Sequence, residues 1–403
     1  MGTQVGTAWV RRWKIAIVAG LVAVTLPALA QTSKVFRDGN SWVEETTGTL
    51  PPGREFRALT DLGSVDVQGT ASQVTYVVRK RSNESTEALA RRQFEQLRIT
   101  ASKVGDAVVL EGRMMSRGVN RMAADFVVQI PRLTQVVKVE THGGALSFGS
   151  IQGAVLGFTA GGAVKIDDIG GTVKLTSGGG TIDAGTVNSD MFLRSGSGAI
   201  SVQRVSGQLV VKTGGGRVKI GTSGPATIET GAGNIEVMKC NGELKATSGG
   251  GNLNFGEIAG NLTAETSGGS VRLSSAQGNV RVVTGGGSVE LWKLGQGAYV
   301  ETGGGAITAQ FVGGRNQFRE SYLHTALGDV VVYLPRDLGV NVHASTEMAN
   351  GAGIKLAFPG LVITSEGGQF GPKAIFAEGA LNGGGPILRV RTTIGQIDFR
   401  QLQ

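Results

Sequence analysis

Ten glycines, Gly144, Gly162, Gly180, Gly198, Gly216, Gly233, Gly251, Gly269, Gly287 and Gly305, each open the pattern Gly-x-Φ-x-Φ, where Φ is apolar. Eight of the nine intervals between them are 18 residues, and the exception, Gly216 to Gly233, is 17. A unit this short cannot bury its own apolar face, so successive units must stack and share one core. The constraint selects an all-β fold, a single-stranded β-helix or solenoid with about 18 residues per coil.

Counted from its glycine, each coil is apolar at +2 and +4, as in Val164/Ile166, Ile200/Val202, Val218/Ile220, Ile235/Val237 and Val271/Leu273. This is the period of two of a half-buried strand, filled mainly by β-branched residues. Position +7, held by Ile151, Ile169, Val187, Val205, Ile258, Leu294 and Val312, is expected to begin a second inward strand after a bend. A further glycine often follows at +9, and then an alternating run ends in Thr or Ser, at Thr159, Thr213, Thr230, Thr266 and Thr284. Glycine at corners fits backbone that bends sharply or takes positive φ. Two or three short strands per coil follow. Ten coils at the sheet spacing of about 4.8 Å make a rod of roughly 45 to 50 Å.

The flanks differ. Residues 1–30 read as a secretory leader: Arg11, Arg12 and Lys14, an apolar stretch over residues 15–26, and Ala28-Leu29-Ala30 as the cleavage site. The apolar stretch is too short to span a bilayer comfortably, and no other segment is long and apolar enough. Residues 31–132 form an N-terminal β-rich segment with one helix over residues 83–97, which caps the open end of the rod. Within it, Leu62-Gly63-Ser64-Val65-Asp66-Val67 already has the form of a coil. Residues 133–315 are the regular repeats, and residues 316–403 are irregular coils and a second cap. Gly328-Asp329-Val330 and Gly395-Gln396-Ile397 restart the pattern there, while residues 348–353 and 365–371 are turn-rich loops.

Abundant glycine, 66 residues, without a Gly-X-Y triplet excludes collagen, and 40% hydrophobic residues argue against disorder. Losing the leader removes three positive charges, leaving about +5 of the formal +8. Residues 144–305 hold 12 Lys and Arg against 11 Asp and Glu, so no basic stripe for nucleic acid exists.

Candidate chemistry along the coils is sparse. Gly214-Gly215-Gly216-Arg217 has no following helix to make a phosphate loop. Asp167, Asp168 and Asp183 are too isolated for a calcium β-roll, which needs an Asp in every turn. Asp167 and Asp183, two positions apart on adjacent coils, are the best carboxylate pair for a polysaccharide lyase or hydrolase, at about 7 to 8 Å. His142, His324 and His343 have no metal-type spacing. Cys240 is unpaired and occupies +7, the slot of a buried small hydrophobe. The Thr and Ser residues share the parity of the core and form a hydroxyl ladder near a corner rather than an outward ice-binding rank. Outward +3 residues alternate in charge at Lys165/Asp183, Lys219/Glu236 and Arg272/Glu290, pairs that fix register. Trp292 and Trp42 are the exposed aromatics suited to stacking on sugars. No catalytic, cofactor or metal site emerges, and no binding residue is assigned.

Phe126-Val127-Val128-Gln129-Ile130-Pro131 leads into repeated Thr-x-Gly-Gly-x-Φ units, followed by Gly328-Asp329-Val330-Val331-Val332-Tyr333-Leu334-Pro335 and Leu381-Asn382-Gly383-Gly384-Gly385-Pro386. With Arg391-Thr392-Thr393-Ile394-Gly395, these segments resemble a bacterial domain-of-unknown-function family of adhesin-type proteins with β-strand repeats. The resemblance implies a single-chain β-solenoid and transfers no catalytic motif. The expectation is an exported, non-enzymatic adhesion-type or structural module of the bacterial envelope, periplasmic, surface-bound or secreted, with cell-surface glycans or envelope proteins as partners. The alternatives are a polysaccharide-acting β-helix enzyme and a self-assembling scaffold.

Overall fold

The computed structural model describes residues 26–27, 29–116, 122–314, 316–349, 353–367 and 373–402. Most of the expected leader lies outside the described residues, as do residues 350–352 and 368–371 of the two expected loops. Each coil contributes two strands, one to each of two facing sheets of 19 and 18 strands. In the coil of Gly198, Ile200–Val205 joins the glycine-led sheet and Leu209–Thr213 the hydroxyl-ended sheet. Neighbouring coils pair parallel and in register, as in Ile200↔Val218 and Leu209↔Ala226. Inward residues of both sheets, such as Val211, Val218, Ile220 and Ile228, are fully buried in one continuous core. The chain is a β-solenoid with a two-sided cross-section.

Position +7 does not open a second strand. It is the last residue of the glycine-led strand, behind two consecutive outward residues, as the Ile200–Val205 burial pattern shows. At three coils the +6 residue is left-handed, Ser150 at φ 56°, Asp168 at 53° and Lys293 at 48°, a bulge-like kink that turns the next side chain back into the core. The exception is Val312. A register shift between Leu291 and Leu294 puts Phe311 in the core, and Val312 is 46% exposed. Cys240 is fully buried as expected, its thiol donating to the Gly224 carbonyl at 3.1 Å. The 17-residue interval loses its residue at the corner, where Gly224-Pro225 replaces the three residues that join Val205 to Leu209. Strand register is untouched.

The repeat glycines are required by contact. None of Gly144 to Gly305 in the decade of repeat glycines has positive φ, so the expectation of left-handed corners fails for them. A Cβ on Gly162 would lie 2.0 Å from the Gly144 carbonyl oxygen, and one on Gly251 2.0 Å from that of Gly233. Onto the same carbonyls converge the buried hydroxyls. Thr266 Oγ1 donates to the Gly251 carbonyl at 2.9 Å and accepts from the Gly269 N–H at 3.3 Å. Ser248 does the same between Gly233 and Gly251, and Thr284 between Gly269 and Gly287. Each hydroxyl ties its own coil to the one after, satisfying two corner groups that no strand ladder reaches.

This column continues past the regular repeat. Thr141 Oγ1 donates to the Gly63 carbonyl, Thr325 to Gly305 and Thr392 to Gly328. At both ends, sequence order and spatial order diverge. Strands Glu55–Thr60 and Ser64–Gln68 sit between Val136–Thr141/Leu146–Ile151 on one side and Ala107–Met114/Ala123–Gln129 on the other, all parallel. At the far end, Ile387–Ile394 and Ile397–Gln401 are inserted between Ser321–Leu327/Val330–Leu334 and Val340–Thr346/Ile354–Leu356.

Antiparallel strands finish each end. Val74–Ser82 pairs with Ala123–Gln129 and with Ser41–Leu50, which pairs with Leu29–Asp38. The helix is Glu87–Phe94, shorter than expected because Leu97 already starts the strand Leu97–Val104. Thr86 caps its N-terminus, and Lys80, almost buried, donates to the Phe94 carbonyl at 2.9 Å while pairing with Glu44 at 2.7 Å. Ala90 and Phe94 face the core. At the other end, the expected loop residues Ser365 and Glu366 belong instead to the strand Val362–Glu366.

Two variants test the glycine column. Gly251→Ala should cost about 1–3 kcal/mol in denaturant unfolding, because backbone must move. Gly250→Ala, with nothing within 4 Å of its Cβ, should stay within about 0.5 kcal/mol. Thr266→Val, which keeps shape and removes the hydroxyl, should cost about 1–3 kcal/mol, and Thr266→Ser much less.

A pH test follows from Glu55, which joins the inserted coil to its neighbour through Lys138 at 2.7 Å. The hydrogen bond from Arg57, at 2.7 Å, and then that from Lys138 outweigh burial and push its carboxyl down from the usual 4.5 to about 2. The unfolded chain therefore binds more protons across that window, so the contribution is complete above pH 4.5 and disappears as pH falls toward 2. Denaturant midpoints of Glu55→Gln should be lower than wild type at neutral pH and converge with it toward pH 2.

Candidate functional site

The inward columns are fixed by packing, so recognition chemistry must lie on the outer faces, the corners or the ends. Of the three charge pairs expected on the glycine-led face, Lys219–Glu236 closes at 3.6 Å and Arg272–Glu290 at 3.2 Å. Lys165 and Asp183 are register partners without an ion pair within 4.0 Å. Exposed pairs of this kind contribute about 0–1 kcal/mol each and mainly set register.

Asp167 is committed to the backbone. Its Oδ1 accepts from the Thr186 N–H on the next coil and from the Asp168 N–H, both at 2.9 Å, and a Cβ on Gly185 would strike it at 2.0 Å. Asp168 pairs with Arg132 at 2.9 Å. Asp183 instead aligns with Ser201 and Lys165. The two carboxylates therefore share a face but face different partners, and the pair offers no free acid beside a free base.

A shallow cleft of about 550 Å³ opens at the N-terminal corner, lined by Asp61, Ser64, Asp125, His142 and the glycines Gly63 and Gly144. Asp61 accepts from the Met114 N–H at 2.9 Å and faces His142 Nδ1 at 3.5 Å. Ser64 donates its hydroxyl to Asp125 at 2.6 Å, so it is not activated by the histidine. His343 faces Glu378 at 3.2 Å, and His324 stacks near Tyr322 at 6.0 Å. Among the described residues no three His, Cys, Asp or Glu side chains come together as a metal set, and no helix is long and apolar enough to cross a membrane.

Two aromatic ladders stand out near the C-terminal end. On the hydroxyl-ended face, Arg281, Tyr299 and Tyr322 occupy one outward column. The Arg281 guanidinium lies 4.4 Å from the Tyr299 ring, and the two tyrosine rings are 5.3 Å apart at 30°. Rings so close and nearly parallel on adjacent strands turn their faces toward one another, so this stack is closed to a ligand and stabilises the sheet. The hydrogen bond to Glu301, with burial, pushes the Tyr299 phenol above its usual range.

The second ladder, on the glycine-led face, is open. Trp292 and Tyr333 lie two coils apart, with Gln310 on the coil between them, and their rings are 6.0 Å apart at 39°. Trp292 is 37% exposed, outward by the ordinary alternation of its strand, and left-handed Lys293 beside it forms the kink that returns Leu294 to the core. Arg400, the register partner of Tyr333 on the following coil, donates to the Tyr333 hydroxyl at 3.1 Å and to Asp398 at 2.8 Å. The result is a tilted aromatic pair flanked by a guanidinium, a carboxylate and an amide. Trp42, the other expected aromatic, is half-buried with Arg37 5.7 Å from its ring.

Sequence reasoning reached Trp292 but not its companions. The signal was available: Trp292, Tyr333 and Arg400 are each at +5 from Gly287, Gly328 and Gly395. The intervals of 41 and 67 residues hide that equivalence from an 18-residue ruler.

No curated protein matches the chain. Among solved structures, a putative cell adhesion protein from Clostridium sporogenes is similar over 89% of this chain and 100% of its own length, at 10% identity and a TM-score of 0.18. A putative adhesin from Parabacteroides distasonis is similar over 72% of this chain and 95% of its own, at 10% identity and a TM-score of 0.27. One from Parabacteroides merdae has the same coverage, with 11% identity and a TM-score of 0.27. Overlaps this loose transfer no function. The Toastrack DUF4097 family model matches residues 61–302, more than half of the chain and most of the glycine column, and the chain belongs to that family.

Proposed function

We propose that this protein is an exported, non-enzymatic adhesion-type module of the bacterial envelope that binds surface glycans on its glycine-led face. The observation that carries the proposal is the open patch of Trp292, Tyr333, Gln310, Arg400 and Asp398. Sugars present apolar C–H faces and a rim of paired hydroxyls. An exposed indole stacks on the first, while planar guanidinium, carboxylate and amide groups hydrogen-bond the second in a bidentate way. The alternation of the strand supports the reading, because it holds the indole away from the core at no cost to the inward column. Export is inferred from the leader-like residues 1–30.

The enzymatic alternative has less support. Its best carboxylate, Asp167, already accepts two backbone N–H groups.

A screen of bacterial and host glycans with the purified protein should identify a ligand. Trp292→Ala and Tyr333→Ala should each weaken binding about tenfold or more, equivalent to about 1.4 kcal/mol, with melting temperature little changed. Binding that survives both substitutions would move the contact elsewhere on the molecule. Release of sugar fragments from any polysaccharide in the screen would instead favour the enzyme.

A further inference from the structure

The two ends of the rod are finished differently. At the N-terminal end, the outermost strand Leu29–Asp38 carries Lys34 and Arg37, Lys34 pairs with Glu45 at 2.8 Å, and the helix Glu87–Phe94 packs over the neighbouring strands. Charged edge residues of this kind discourage further strand addition. At the C-terminal end, the hydroxyl-ended sheet finishes in the order Val340–Thr346, Ala374–Leu381, Val362–Glu366, all antiparallel. Among the described residues, Val362–Glu366 pairs on one edge only.

Beyond its shortness and Glu366, that last strand lacks the usual protections. Its sequence, Val-Ile-Thr-Ser-Glu, contains no proline, lysine or glycine, and its pairing with Ala374–Leu381 runs without a bulge. All five residues are exposed, with Val362 at 65% and Ile363 at 50%. A strand with one free edge and apolar side chains on both faces is a template for another strand.

We infer that Val362–Glu366 pairs antiparallel with the same strand of a second copy, joining two rods tail to tail. Self-complementarity selects this occupant. Antiparallel pairing centred on Thr364 sets Thr364 against Thr364, Ile363 against Ser365 and Val362 against Glu366 of the other copy. The two Glu366 carboxylates, the only charges in either strand, then lie at opposite ends, about 13 Å apart, whereas parallel pairing would place them side by side. Ile363 and its copy become diagonal neighbours on one face, and on the other the two Thr364 side chains meet with a Val362 at each end. The contact is isologous, so it closes at two copies, and the guarded N-terminal edge opposes growth into a filament. A five-residue strand pair buries little surface, so the dimer is weak and depends on concentration.

Sedimentation of the purified full chain from low to high micromolar concentration should show a monomer–dimer equilibrium. Ile363→Lys, a charge on an exposed edge residue, should weaken it at least about tenfold without lowering the melting temperature. Register is read by cross-linking. Thr364→Cys should form a disulfide-linked dimer on mild oxidation, because directly opposed residues bring their Cα atoms within about 6 Å, whereas Glu366→Cys should not. Cys240 is buried and does not interfere. A wild-type chain that stays monomeric throughout, assembles beyond two copies, or cross-links through Glu366→Cys as readily as through Thr364→Cys would overturn the inference. The readout is independent of any glycan, so this inference and the binding proposal stand or fall separately.

Discussion

The contact between one coil's glycine and the carbonyl of the glycine before it governs the rest of this structure. At about 2 Å from where a Cβ would be, that carbonyl leaves room for hydrogen only. The close approach lets the corner hydroxyl reach two coils at once, as Thr266 does between Gly251 and Gly269. A corner that lacks a Cβ has no side chain to fill the turn, and its peptide groups lie outside both ladders. The hydroxyl supplies the missing partners from inside the core. Glycine and hydroxyl are therefore one device, and the 18-residue period is its spacing along the chain. The single deletion in the repeat falls at the opposite corner, at Gly224-Pro225, and leaves the hydroxyl column intact, with Thr230 still donating to the Gly216 carbonyl.

The same device explains how the chain leaves sequence order at its ends without leaving the fold. Gly63 and Gly144 stack although residues 64–143 intervene, and Thr141 bonds the Gly63 carbonyl just as Thr159 bonds that of Gly144. Gly395 stacks on Gly328 in the same way. An inserted coil has both edges paired in the regular parallel manner. Beyond it lies one further parallel coil and then a short antiparallel ribbon, which can be finished by hairpins. A parallel coil at the very end would instead expose a whole row of unpaired groups in each sheet. The long sequence separation of these contacts adds loop-closure entropy, and ion pairs such as Glu55–Lys138 lie at the seams that must close last.

What the sequence made legible was whatever repeats at constant spacing. The inward columns, the burial of Cys240 and the parity of the Thr and Ser residues all follow from lining up glycines. Position +7 was assigned to the core correctly but to the wrong strand, because a kink at +6 restores inward parity without ending the strand, and a left-handed Ser, Asp or Lys leaves no mark in a hydrophobic pattern. The glycines were assigned to corners correctly with two reasons open, a sharp bend or positive φ, and close approach decides against the second for the ten repeat glycines. Val312 failed because a bulky neighbour, Phe311, competes for the same slot and packs edge-on against Phe318 at 5.2 Å. The inserted coils and the Trp292–Tyr333–Arg400 column stayed hidden because their equivalence is spatial, across gaps that no fixed period spans.

A rod built this way separates stability from recognition by position within the coil. The glycine, the hydroxyl and the inward residues answer to the coil on either side, so a change there is felt along the stack. The +5 and +6 residues answer to nothing inside. Here the slot at +5 holds Met238, Gly256, Trp292, Tyr333 and Arg400 in different coils, a range that no inward column tolerates. The kink that follows, as at Lys293, keeps the +6 side chain outward as well and returns the one at +7 to the core. A binding surface can therefore be assembled from single outward residues on successive coils, each held at the sheet spacing by a core that does not register its identity. In such a molecule a recognition surface is built on an outward column that is free to vary, and the run from Trp292 to Arg400 is the column on which the proposed glycan binding rests.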